Sequence, residues 1–369
     1  MNKNLKLIVP ENFCEFGKKV NNHINLIRNT NENYIVDMNL VRFNDGEGKC
    51  VLNESVRDQD IYILTDVKNY DVTYKAQRGV HHMMPDEHYQ DLKRIISAIA
   101  GHAQKVTIVM PFLYQSRQDK RSSRESLDCA MALQELERYD INEIVTFDAH
   151  NPIVANAIPN KMTFSNGHAT GDIILSMLEN ENIDLNNLFI VSPDEGARTK
   201  AKFLADILGG TKFGHFDKRR DYNQLEDGKH PIVYHEFVGP NDLSGMDIIV
   251  IDDMIASGAS LIDTAKQLKA RGAKHIYLMA TYSLFTKGIE IFAEAYNNGL
   301  FDKLYSTNLV YVPEEYKSLP WYHDVDCSYK VAEIINNLND GTPVRSLLNG
   351  REETANKVKM LKKSFVCVG

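Results

Sequence analysis

The segment with the most chemical content runs Ile248-Ile-Val-Ile-Asp252-Asp253-Met-Ile-Ala256-Ser257-Gly258-Ala259-Ser260-Leu261. Its β-branched opening reads as a buried strand, two carboxylates follow, and small residues lead into a helix whose apolar face is Leu261, Ile262, Ala265 and Leu268. Small residues let backbone N–H groups turn inward, and a helix start offers free donors and a positive dipole end. Ser257, Gly258, Ala259 and Ser260 therefore suit a phosphate. Asp252 and Asp253 would repel that phosphate but can accept hydrogen bonds from a vicinal diol set apart from it. The whole segment thus fits a sugar phosphate. A plainer reading is an acidic strand end followed by a helix cap, since Asp and Ser are favoured there for capping alone. No G-x-x-x-x-G-K-[ST] occurs, and no G-x-G-x-x-G follows a strand.

Other residues carry weaker signals. Asp217-Lys218-Arg219-Arg220 is a cationic run between the strand-like Lys212–Phe216 and the turn-rich Glu226–Lys229. Such runs are usually solvated faces, but beside a phosphate site this one reads as the start of a mobile clamp. Arg117 can stack on a base and donate to phosphate. Phe43 could be a stacking platform for a base, though a Phe after a strand is usually core. Asp194 after Pro193 can cap a helix starting near Glu195. His81-His82 with Asp86-Glu87-His88 looks like a metal cluster, yet lacks H-E-x-x-H. Asp86 reads as the first turn of a Tyr89–Ala100 helix, so a cap and a polar surface are expected there.

The elements that position these residues alternate. Strands are expected at Ile61–Leu64, Val106–Met110, Ile144–Phe147, Leu188–Val191, Ile248–Ile251 and Ile276–Met279. Between them lie helical faces such as Leu92, Ile95, Ile96, Ile99 and Ala201, Leu204, Ala205, Leu208. The pattern predicts an α/β protein with parallel sheets and crossover helices, its ligands at the carboxyl ends of strands. A boundary is expected around Ala157–Gly167, and the Lys/Glu-rich Asn349–Lys363 is expected as a surface helix. The 369 residues allow two domains. A net charge of −8 with no strong basic block argues against a nucleic-acid partner. Five scattered cysteines without a C-x-x-C pair read as reduced cytoplasmic thiols. A polar N-terminus and apolar runs of strand length predict neither a secretory signal nor a membrane span.

The Asp252–Ser260 segment resembles the phosphoribosyl-pyrophosphate loop shared by phosphoribosyltransferases and ribose-phosphate pyrophosphokinases (PRPP synthetases). Other segments resemble the synthetases in their order along the chain. Val41-Arg-Phe43-Asn-Asp45-Gly46-Glu47 resembles F-x-D-G-E, followed by Glu54-Ser55-Val-Arg57. Pro111-Phe-Leu-Tyr-Gln-Ser-Arg117-Gln118-Asp119 resembles P-Y-x-x-Y-x-R-Q-D. Phe147-Asp148-Ala-His150 resembles D-L-H, Val191-Ser-Pro193-Asp194-Glu-Gly196 resembles V-S-P-D-x-G-G, and Asp217-Lys218-Arg219-Arg220 resembles D-K-R-R.

This resemblance implies a Mg²⁺-dependent ribose-phosphate diphosphokinase, moving the β,γ-diphosphate of ATP to the anomeric hydroxyl of ribose 5-phosphate and releasing AMP. It implies two phosphoribosyltransferase-like domains, each a mostly parallel sheet flanked by helices. Residues 1–161 would be the ATP side and 162–342 the ribose 5-phosphate side, with an extension, 343–369, whose start packs back on the first. Asp252, Asp253, Ser257, Gly258, Ala259 and Ser260 would hold ribose 5-phosphate, and Arg117 and Gln118 would contact ATP. Phe43, Asp45 and Glu47 would reach the adenine of a neighbouring subunit in a dimer-based homo-oligomer, up to a hexamer. His150 and Asp194 would bind magnesium, and Lys218 and Arg220 would act catalytically over the transferring phosphates. Ala256 stands where pyrophosphokinase loops usually carry a third Asp, and the loop after Arg117-Gln118-Asp119 is one residue shorter. Two alternatives are therefore a phosphoribosyltransferase and a catalytically silent, synthetase-like regulatory subunit. Pro343-Val-Arg345 replaces a Ser-rich C-terminal segment, so absent or altered control by inorganic phosphate or ADP is expected.

Overall fold

Runs of Ile, Val and Leu without polar alternation make strands buried on both faces, and such strands assemble as parallel sheets joined by helices. A computed structural model of the chain describes residues 4–121, 123–158, 161–220 and 232–366, with the side chains at 218–220, 232–235 and 362–366 outside that description. The fold is α/β, and the chain forms two compact units.

The first unit comprises Met1–Ala169, Asn308–Val312 and Asp326–Asn349. Its five-stranded sheet runs Leu5–Ile8, Asp60–Leu64, Lys105–Val109, Glu143–Phe147, Thr163–Gly167, each strand parallel to the next. Ile61, Ile63, Ile108 and Ile144 lie wholly inside. Thr163–Gly167, within the stretch expected as a boundary, is the edge strand of this sheet. Helix Ser328–Asp340 belongs to this unit and packs on helix Cys14–Arg28. Buried Arg28 fixes that return, donating from Nε to Asn336 Oδ1 at 2.8 Å and from Nη2 to Asn339 Oδ1 at 2.7 Å. Asn339 in turn donates to Asp60 Oδ2 at 2.7 Å. Two antiparallel hairpins stand apart from the sheet: Met38–Arg42 with Gly48–Leu52, and Thr73–Ala76 with Gly79–His82.

The second unit comprises Thr170–Thr307, Pro313–Val325 and Gly350–Gly369. Its seven-stranded sheet has the order Ile232–Val238, Lys212–Arg220, Leu188–Ser192, Asp247–Ile255, His275–Ser283, Lys303–Thr307, Tyr322–Val325. All neighbours are parallel except the first pair, which is antiparallel. The Lys/Glu-rich tail is helical over Arg351–Val366 and is not wholly at the surface, since Thr354 and Val358 are buried. Gly171 makes room for Thr354, where a Cβ would collide with its hydroxyl. No helix among the described residues is long and apolar enough to cross a membrane.

Candidate active site

The acidic pair sits on the strand rather than in a loop after it. Met254 and Ile255 extend the apolar pattern past the carboxylates, and pairing with His275–Ser283 continues through Asp252 opposite Ala280 to Ile255 opposite Ser283. Asp252 Oδ1 accepts the Asp253 N–H at 2.8 Å. Burial pushes the Asp252 carboxyl well above its usual range, and the charges of Asp253 and then Asp194 push it further. Asp194 arrives from the neighbouring strand, Leu188–Ser192, and its Oδ1 accepts the Ala197 N–H at 3.1 Å just before helix Arg198–Ile207. Asp194 therefore closes the turn ahead of the helix but does not cap it: the helix starts at Arg198, later than Glu195, and Ala197 occupies the cap position without a side-chain bond. The end of one strand and the loop after its neighbour thus bring three carboxylates into one field, where hydroxyl donors or a cation would be favoured.

Beyond Ile255 the chain turns through Ala256 and Ser257 to Gly258, which has φ +78° and caps helix Ala259–Ala270. Its carbonyl accepts the Ile262 N–H at 3.0 Å. A Cβ at Gly258 would strike the ring of Phe292, itself fully buried and stacked on Trp321 at 5.9 Å. Only glycine meets both the backbone angle and the space. Ala259 and Ser260 are exposed and Ser257 is half-buried. The first N–H groups of the helix have no carbonyl one turn earlier, so donors sit beyond the carboxylates along the chain, as a sugar phosphate requires.

Lys218 and Arg220 lie on strand Lys212–Arg220, where their backbones pair with His235 and Ile232, with a shift in register between Arg219 and Arg220. The clamp expected to begin at Asp217 is therefore strand up to Arg220. Partnering with Ile232–Val238 extends it, which an isolated charge run does not reveal. The side chains of Lys218 and Arg220, and residues 221–231, lie outside the described residues.

In the first unit, Phe43, Asp45 and Glu47 form the tip of the Met38–Arg42 and Gly48–Leu52 hairpin. The Phe43 N–H donates to Glu47 O at 2.8 Å, and the Glu47 N–H to Asp45 Oδ1 at 3.0 Å. Phe43 is 46% exposed, not core, with Lys49 Nζ 5.9 Å from its ring centroid. A hairpin outside the main sheet has no core to offer its tip, so the ring stays available as a stacking surface. Arg117 is exposed on the loop after strand Lys105–Val109. Gln118 donates from Nε2 to Ser126 O at 2.8 Å, bracing that loop. His150 is exposed beyond strand Glu143–Phe147.

The histidine cluster differs from its expected form. Helix Pro85–Ile99 starts earlier than Tyr89, with Asp86 and Glu87 in its first turn as expected of a cap. His88 is buried rather than surface, its Nε2 2.6 Å from Asn69 O and its Nδ1 3.1 Å from Asn12 Nδ2. Burial lowers its pKa. A carbonyl can only accept, so Nε2 carries the proton and Nδ1 accepts. Among the described residues no three His, Cys, Asp or Glu gather as a metal site.

Comparison with known proteins places these features in a lineage. Residues 5–139 match a model of the N-terminal domain of ribose phosphate pyrophosphokinase, and residues 166–297 match a phosphoribosyl transferase domain. The chain belongs to the ribose-phosphate pyrophosphokinase family. The ribose-phosphate pyrophosphokinase of Haemophilus influenzae is 26% identical over 318 residues, covering 85% of this chain and 91% of that protein. That of Pasteurella multocida is 25% identical over 314 residues, covering 84% and 90%. The crystal structure of phosphoribosylpyrophosphate synthetase from Mycobacterium smegmatis shares the fold with a TM-score of 0.74 at 22% identity, over 92% of this chain and all of that one.

Within this pyrophosphokinase-family chain, two residues received no role from the sequence: Asp148, quoted only as part of a motif, and Lys68. Asp148, buried and at φ +40°, turns the chain outward two residues before His150. Its Oδ1 lies 2.9 Å from His168 Nδ1, and its Oδ2 accepts the Ala169 N–H at 3.1 Å. Lys68 follows strand Asp60–Leu64, with its ammonium 4.6 Å from the centroid of Phe112. The available signal was position: both stand just past the end of an apolar parallel strand.

Proposed function

We propose that this chain transfers the β,γ-diphosphate of ATP to the anomeric hydroxyl of ribose 5-phosphate, giving phosphoribosyl pyrophosphate, AMP and the hydroxyl's proton. The observation carrying this reading is the Asp252–Asp253 pair joined through Gly258 to an exposed helix start, in a chain of the pyrophosphokinase family. Asp252 and Asp253 accept from the ribose hydroxyls. Ser257, Gly258, Ala259 and Ser260 receive the 5-phosphate. Arg117 and Gln118 contact ATP, for which the exposure of Arg117 is favourable; Gln118 also braces its loop. Phe43, Asp45 and Glu47 serve the adenine of a second subunit, supported by the exposed ring at the hairpin tip. Lys218 and Arg220 stabilise charge moving toward the leaving AMP. The working form in this reading is a cytoplasmic homo-oligomer, with the ATP side in the first domain and ribose 5-phosphate in the second.

The donor set suits magnesium, which takes oxygen ligands, usually one or two carboxylates with phosphate and water completing the shell. Asp194 uses only Oδ1 in its turn, and the field it shares with Asp252 and Asp253 favours a cation. Asp194 is the residue of the second unit proposed to hold it; His150, a nitrogen donor unusual for magnesium, is proposed on the family resemblance alone. Bound there, it would neutralise phosphate charge. The deciding experiment measures AMP formation from ATP by the purified chain. AMP appearing only with ribose 5-phosphate and Mg²⁺ together supports the reading. No AMP under any condition would favour a silent subunit, and product formation from phosphoribosyl pyrophosphate and a free base would favour a phosphoribosyltransferase.

A further inference from the structure

Lys68 and Arg117 occupy loops that leave the same edge of the first sheet. Strands Asp60–Leu64 and Lys105–Val109 pair in parallel with Leu64 opposite Val109, and the Thr65 N–H extends the ladder to Val109 O at 3.0 Å. Lys68 lies just past the first strand and Arg117 on the loop after the second. Carboxyl ends of neighbouring parallel strands are where such sheets take ligands.

Lys68 is half-buried, with its ammonium 4.6 Å from the centroid of Phe112, a residue of the loop that bears Arg117. The carboxylates that face Lys68 are engaged by other donors. Asp66 Oδ1 accepts the Lys68 backbone N–H at 2.8 Å, and Asp66 Oδ2 accepts the Tyr311 N–H at 2.6 Å. Asp86 Oδ1 accepts from Tyr114 Oη at 2.7 Å and from Gln115 Nε2 at 3.3 Å. Among the described residues, neither the Lys68 ammonium nor the exposed Arg117 guanidinium is ion-paired with a carboxylate. Burial lowers the Lys68 pKa, Asp66 and Asp86 raise it, and the nearby Arg117 charge lowers it again. A partly desolvated ammonium beside a second cation is costly unless an anion joins them.

We propose that Lys68 and Arg117 form an anion site of the first unit that takes a phosphate group of a nucleotide's polyphosphate chain. The assignment deepens the ATP-binding part of the function proposed above and rests on it for the identity of the nucleotide. Inorganic tripolyphosphate, which has neither base nor sugar, probes the site directly. Calorimetric titration of the full chain is expected to show binding that Lys68→Met weakens roughly 10–100-fold. Methionine keeps an apolar stem over Phe112 while removing the charge, and Lys68→Arg should restore binding. ATP affinity should fall by a similar factor in Lys68→Met, with adenosine affinity unchanged. Equal tripolyphosphate binding by wild type and Lys68→Met overturns the proposal, as does no binding by the wild type. Equal weakening of ATP and adenosine overturns it too, because Lys68 would then merely support the loop. Lys68-dependent tripolyphosphate binding in a chain that forms no AMP would leave the anion site standing and remove the diphosphokinase reading.

Discussion

Gly258 answers to two constraints at once, a left-handed backbone angle and the Phe292 ring where a side chain would begin. Gly258→Ala should therefore cost about 1–3 kcal/mol of stability and weaken ribose 5-phosphate more than ATP; a calorimetric melt and paired KM measurements test both halves. Asp253→Ala should likewise raise the ribose 5-phosphate KM, because a charged hydrogen bond is worth ~1.5–3 kcal/mol. Equal effects on the two substrates would refute the assignment. Asp66 carries a different signature. Burial pushes its carboxyl from the usual 3.8 to about 7, against the N–H groups of Lys68 and Tyr311 and the Lys68 charge. A raised acid holds its proton more tightly in the folded state than in the unfolded one. The stability it contributes is full below the unfolded value of 3.8 and is lost as pH rises through about 7. The wild-type melting temperature should thus fall more steeply than that of Asp66→Asn across this window, and parallel profiles would show that Asp66 does not set the slope.

Elements explain which of these residues could be read from the chain alone. Strands at Asp60–Leu64, Leu188–Ser192 and Asp247–Ile255 were legible because buried parallel strands need unbroken apolar runs. Leu5–Ile8 and Thr163–Gly167 were not, since a sheet edge accepts Lys, Ser, Asn and Gly once a neighbour supplies the hydrogen bonds. The same cause lengthened Lys212–Arg220 beyond its apolar start. The small-residue turn was legible in residue type, yet the acidic pair before it proved to be strand, and the exposure of Phe43 needed the hairpin to be seen. Two predictions belong to these elements. Lys218→Ala and Arg220→Ala should each lower kcat by about 10²–10³, with substrate affinities nearly unchanged; loss of ATP affinity alone would make the run a binding patch. Phe43→Ala should weaken ATP binding through lost stacking without lowering the melting temperature, because the ring contributes no core.

Across the whole molecule, the first unit is completed by distant sequence. Asn308–Val312 and Asp326–Asn349 belong to it, although most of the second unit lies between them and Ala169. The Arg28, Asn336, Asn339 and Asp60 network holds that return. Asn339→Ala strips Asp60 and Arg28 of a buried partner, so a loss of ~1–3 kcal/mol is expected in a denaturant titration; an unchanged midpoint would show that helix packing alone secures the return. The arrangement also sets an order of events during synthesis. Domains generally fold as units as they leave the ribosome, N-terminal first. Here the nascent first unit must wait, with Arg28 lacking Asn336 and Asn339, until nearly all of the second has been translated. A ribosome stalled shortly after Ala169 should therefore display a protease-sensitive first unit, and resistance should appear only once the chain through Asn349 has emerged.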